Sequence, residues 1–126
     1  MRALNIIESA YRATIEEQDD TIVWLTHAMK AAGADLAVLL RGNAVNYAVR
    51  GQDAAGLAFG GWRQTQPPRV ADNIASLTTK GVAVYVMAED LAERGLEAGD
   101  LVPGLERVTR DGLPGLFASR DQVWHW

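Results

Sequence analysis

Three short apolar runs constrain this chain more than anything else in it. They are Ala3–Ser9 (ALNIIES), Asp35–Leu40 (DLAVLL) and Val82–Met87 (VAVYVM). Their apolar residues run on without polar alternation, which suits strands buried on both faces. Helical spacing fills the stretches between them. After the first run comes the polar AYRATIEEQDD, where Asp19 or Asp20 is placed to cap a helix. Ile22, Leu25, Met29 and Ala32 then form the expected inner face, and Gly33 is the expected stop. Strands alternating with helices predict a parallel sheet covered on both sides.

The rest of the chain keeps this alternation. Asn43–Gly51 reads as a short helix capped by Asn43, and Arg69–Gly81 as a helix with Val70, Ile74 and Leu77 inward. The connection between them, QDAAGLAFGGWRQTQPP, is long for a compact domain. It is read as either a functional loop or a segment with its own short helix. Ala88–Arg94 is a short helix closed by Gly95, and Leu105–Thr109 a fourth strand. A short helix within DGLPGLFASRD leads to a final strand, Gln122–Trp126. The expectation is a single α/β domain over residues 1–126: a three-layer α/β/α sandwich around a mainly parallel sheet of about five strands.

Composition narrows the function classes. The net charge is −4 with scattered signs and no basic stripe, which argues against nucleic acid as a partner. No run approaches a membrane span. The apolar run before Glu8 has only four residues even with Asn5 overlooked, too few for a signal peptide, so a cytoplasmic protein is expected. The chain has no cysteine, which excludes disulfides, thiolate catalysis and cysteine-ligated metals. The two histidines, His27 and His125, lack metal-ligand spacing and are read as structural; no metal or cofactor is expected.

Three stretches carry a family resemblance: AVLLRGNAVNYAVRG, GVAVYVMAEDLAERGL and LFASRDQVWHW. With the order of elements, they make the chain similar to the DsrE/DsrF-like family, which includes sulfur-relay subunits of the TusBCD type. The resemblance implies an α/β/α sandwich that assembles as a trimer or hexamer. Sulfur-carrying members hold a persulfide on a cysteine at the end of the strand in the middle stretch. That position is Met87 here. A thioether has no S–H to ionise, so this chain carries no persulfide of its own. The resemblance also implies a cysteine-bearing partner subunit as an alternative to self-assembly.

In sheets of this kind ligands bind outside the carboxyl ends of the strands. The rule selects Glu8–Tyr11, Arg41–Asn46, Met87–Asp90 and Thr109–Asp111. Glu8, Ser9 and Tyr11 leave the first strand, and Glu8 is either an acid/base group or an ion-pair partner of Arg41. Arg41, Asn43 and Asn46 are candidates for holding an anion, against a role in turn and capping chemistry. Met87 either lines a pocket or fills the core. Glu89 and Asp90 fit a helix N-terminus electrostatically. The glycines of GLAFGGW lack the spacing, Lys and Ser/Thr of a phosphate loop. A mobile or interface loop anchored by Phe59 and Trp62 is expected there, and Trp24, off its helix's apolar face, is a further interface candidate.

Overall fold

The computed structural model describes residues 1–11, 20–52 and 55–126. The strands are β1 (Arg2–Ile7), β2 (Asp35–Leu40), β3 (Ala58–Phe59), β4 (Trp62–Arg63), β5 (Ala83–Met87), β6 (Glu106–Val108) and β7 (Gln122–His125). The α-helices are α1 (Thr21–Ala31), α2 (Val70–Thr79), α3 (Ala88–Glu93) and α4 (Leu113–Ala118), and a 3₁₀ helix spans Gly42–Ala48. Five strands form one sheet in the order β6-β5-β2-β1-β7. Every pairing in it is parallel. None of the described helices is long and apolar enough to cross a membrane.

The three apolar runs are the middle of this sheet. Leu4, Ile7, Ala37, Val38, Leu39, Leu40, Val84 and Val86 are each fully buried. Full burial of one such leucine or isoleucine is worth about 1.5–3 kcal/mol. The register Asn5↔Val38↔Val84 puts these residues on one face, and Leu4, Leu39 and Tyr85 on the other. The steps β1→β2→β5 run in one direction across the sheet, and right-handed crossovers place α1 and α2 side by side on the Asn5 face. The last crossover returns past β1, so the same rule puts α4 on the opposite face, where Leu113, Leu116 and Phe117 pack on the core.

Asp20 is the cap of α1: its Oδ1 accepts from the backbone N–H groups of Ile22 (2.8 Å) and Val23 (3.2 Å). Asp19, the alternative cap, lies outside the described residues. The buried face of α1 differs from the expected one. It is Ile22, Val23 and Thr26, while Leu25 and Met29 are half-buried and Ala32 is exposed. The cause is a polar pair inside the sandwich. Asn5, fully buried in β1, donates through Nδ2 to Thr26 Oγ1 at 3.0 Å, and Thr26 donates to the Ile22 carbonyl at 2.7 Å. Turning Thr26 inward gives the buried Asn5 Nδ2 its acceptor, whose absence would cost about 1–3 kcal/mol, comparable with the gain from burying one leucine. Gly33, at φ +91°, ends the helix as expected.

Two further expectations give way. Asn43 is not a helix cap. The residue before the 3₁₀ turn is Arg41, in extended backbone, and it makes no side-chain capping bond. The free amide at Gly42 is taken instead by Asp90 Oδ2, 2.7 Å away, across from the end of β5. Among its described residues the long connection holds no short helix but a small hairpin, β3–β4, turning at Gly60–Gly61 with Gly60 at φ +55°. Gln64 closes it: its amide donates to the Leu57 carbonyl at 2.8 Å, and Leu57 donates back to Gln64 Oε1 at 3.0 Å. A Cβ at Gly56 would stand 2.8 Å from the Gln64 carbonyl oxygen, so only glycine lets the two strands approach there.

At the other edge, the Arg2 amide donates to Asp121 Oδ2 at 2.7 Å and ties the entry of β7 to β1. That bond, helped by the Arg2 charge, holds the Asp121 carboxyl below its ordinary range.

Candidate functional site

In sheet order the chain runs β1, β2, β5, β6 outward and then returns to lay β7 on the far side of β1. The reversal makes the gap beyond the carboxyl ends of β1 and β7 the topological switch point. Three charged or titratable side chains meet there. Glu8 follows β1, Arg41 follows β2, and His125 is the last residue of β7. His125 Nε2 lies 2.5 Å from Glu8 Oε2, while Arg41 Nε lies 3.9 Å from Glu8 Oε1. The first is a hydrogen bond through which a proton can be shared. The second is an ion pair without one.

The backbone fixes this arrangement. The amides of Glu8 and Ser9 donate to the Trp126 carbonyl at 3.0 and 3.3 Å, and the Arg41 amide donates to the Ile7 carbonyl at 3.0 Å. Gly42 adopts φ +55°, and a Cβ there would approach Glu8 Cγ to 3.2 Å. Glycine at this point lets the Arg41 turn close onto Glu8.

The remaining candidates divide. Tyr11 stands at the same end with φ +60°, its amide donating to the Tyr47 hydroxyl. The two rings meet edge to face, 5.4 Å apart. Tyr47 donates onward to Asp20 Oδ2 at 2.7 Å, so this network joins the β1 exit to the α1 cap. Ser9 is exposed and held through its backbone. Asn43 Oδ1 accepts from Arg94 Nη2, at the end of α3, at 2.7 Å, and Asn46 Nδ2 donates to the Asn43 carbonyl within the turn at 3.0 Å. Met87 is 2% exposed and packs in the core cluster, with Val108 beside it in register. Glu89 and Asp90 reach sideways: Glu89 Oε2 accepts from the Arg110 amide at 2.6 Å, as Asp90 does from Gly42.

The sequence pattern pointed to a structural role for His125 and did not place it at the strand-end site. The strand-end rule would have found it had it been applied to the last strand as to the other four. Among the interface candidates, Trp24 is 63% exposed, Phe59 66% and Trp62 43%. Phe59 and Trp62 stack on each other with centroids 6.1 Å apart, beside the exposed Leu57.

The solved structure of the ychN protein from E. coli superposes on the whole chain with a TM-score of 0.76. The two are 22% identical, and all of both chains is covered. A protein of unknown function from Methanobacterium thermoautotrophicum, MTH1491, matches with a TM-score of 0.63 at 13% identity, over 98% of this chain and 96% of that one. The fold is therefore YchN-like, in agreement with the DsrE-type architecture that the resemblance implies. No protein-family model matches the sequence. No curated protein matches it either.

Proposed function

We propose that this is a non-thiol DsrE-like protein: an assembly of identical subunits, a trimer or hexamer, that holds a small anionic ligand at the switch point and carries no persulfide. The observation behind the ligand is Arg41. Its Nε is buried and has no hydrogen-bond partner among the described residues. A buried guanidinium nitrogen left without an acceptor is costly, and an anion between Arg41 and His125 would satisfy it. The exposed aromatics Trp24, Phe59 and Trp62 support assembly, since such patches mark contacts. The link to sulfur metabolism rests on the family resemblance, as does a cysteine-bearing subunit as the alternative partner.

The Glu8–His125 hydrogen bond favours a second reading, an enzyme acting on an anionic substrate. A carboxylate paired with an imidazole is an acid/base unit, and Arg41 would hold the substrate's charge.

Two measurements test the proposal. Native mass spectrometry of protein taken directly from cells is expected to show multiples of 13.7 kDa. A pure monomer at micromolar concentration would overturn the assembly. Titration with sulfate, followed by amide resonances, is expected to move Glu8, Gly42 and His125 together, and Arg41→Ala to abolish the response. Unchanged sulfate affinity in that variant would remove Arg41 from the site.

A further inference from the structure

A second cation-lined feature lies away from the switch point, along the outer edge of the sheet at β6. A cavity of about 370 Å³ is bordered by Arg50, Ala98, Arg107 and the segment 101–105. That volume lies within the range of small-molecule sites. The segment precedes β6, and Gly104 packs against Thr78 in the last turn of α2. The cavity therefore belongs to the opposite end of the strands from Glu8 and Arg41.

Its electrostatics are one-sided. Arg50 is held in place by its own backbone amide, which donates to the Asp100 carbonyl at 3.0 Å. Its guanidinium also donates to the Gly99 carbonyl, through Nε at 3.1 Å and through Nη2. The Arg107 side chain makes no hydrogen bond or ion pair with any described residue, its backbone being paired with β5. No acidic side chain lines the cavity. The nearby acids are turned elsewhere. Asp100 Oδ2 accepts from the Glu97 amide at 2.8 Å, and Glu106 alternates to the face opposite Arg107. The floor is apolar: Leu101 and Val102 are buried, and Pro103 and Leu105 complete it. A free guanidinium suits a carboxylate or phosphate bidentately. The floor suits an apolar body beside that charge.

We propose that this cavity binds a small organic anion, its charged group held by Arg107 and Arg50 and its apolar part seated on Leu101, Val102, Pro103 and Leu105. The test uses three probes on the whole protein, read by amide resonances: benzoate, the neutral benzamide and inorganic phosphate. Benzoate is expected to give saturable shifts between Ala98 and Arg107, more tightly than phosphate, with no such response to benzamide. Arg107→Gln, a change on an exposed edge-strand side chain, is expected to weaken benzoate binding by about tenfold or more, the loss of one charge-assisted hydrogen bond. Arg50→Gln is expected to act in the same direction. The absence of saturable shifts in this segment, an equal response to benzamide, or unchanged affinity in Arg107→Gln would overturn the site. Phosphate binding as tight as benzoate would overturn the role of the apolar floor. The shifts fall in a different segment from those of the sulfate titration, so either site can fail without the other.

Discussion

Met87→Cys is expected to give a folded protein whose new thiol is almost silent. Met87 is 2% exposed and belongs to the core cluster. A soluble disulfide reagent would reach the thiol only through opening of the fold. With an opening equilibrium typical of a small domain, reaction should be at least about 1,000-fold slower than in the unfolded chain. The smaller side chain should cost about 1–3 kcal/mol of stability. Thiol labelling with and without denaturant measures the ratio, and rapid labelling of the native protein would show instead that residue 87 lines an accessible pocket. Persulfide carriage needs access as well as a thiol. The end of β5 lacks both, so restoring the sulfur atom alone should not restore that chemistry.

The largest expected loss of stability follows from Asp20→Ala. One carboxylate caps α1 through two amides and accepts the Tyr47 hydroxyl, while fully buried. Losing the cap costs about 1 kcal/mol. Losing the charged acceptor of the Tyr47 hydroxyl adds about 1–3 kcal/mol. The sum, about 2–4 kcal/mol, should appear as a lower urea midpoint. Asp20→Asn keeps a capping oxygen and should lose clearly less. Equal midpoints for Asp20→Ala and the parent would show that the network contributes nothing.

Asp20 also shows where the sequence was legible. A carboxylate before an apolar-periodic stretch is a local signal, and the helix begins where that signal puts it. The strands β1, β2 and β5 were readable for a similar reason, since an unbroken apolar run of that length has few other ways to be buried. The face of α1 was not readable. It depends on Asn5, a polar residue inside the first apolar run, finding Thr26 twenty-one positions later. The Gly42 amide is likewise satisfied by Asp90, forty-eight positions away, so reading a local cap at Asn43 looked in the wrong part of the chain. The hairpin escaped because each strand has only two residues, too few to show alternation. At the candidate site, Glu8 and Arg41 were legible from the strand-end rule. Their third companion came from a strand on the other side of β1, and only the order of the sheet brings His125 beside them.

The amides around the strand ends have a consequence for recognition. Those of Glu8, Ser9, Arg41, Gly42 and Arg110 all donate within the protein, to Trp126, Ile7, Asp90 and Glu89. None of these five is left to cradle an anion as the backbone of a phosphate loop does. An anion drawn to Arg41 and His125 would rely there on side-chain charge. Its affinity should therefore fall steeply as salt is added, because half-exposed charges are screened where buried amides are not.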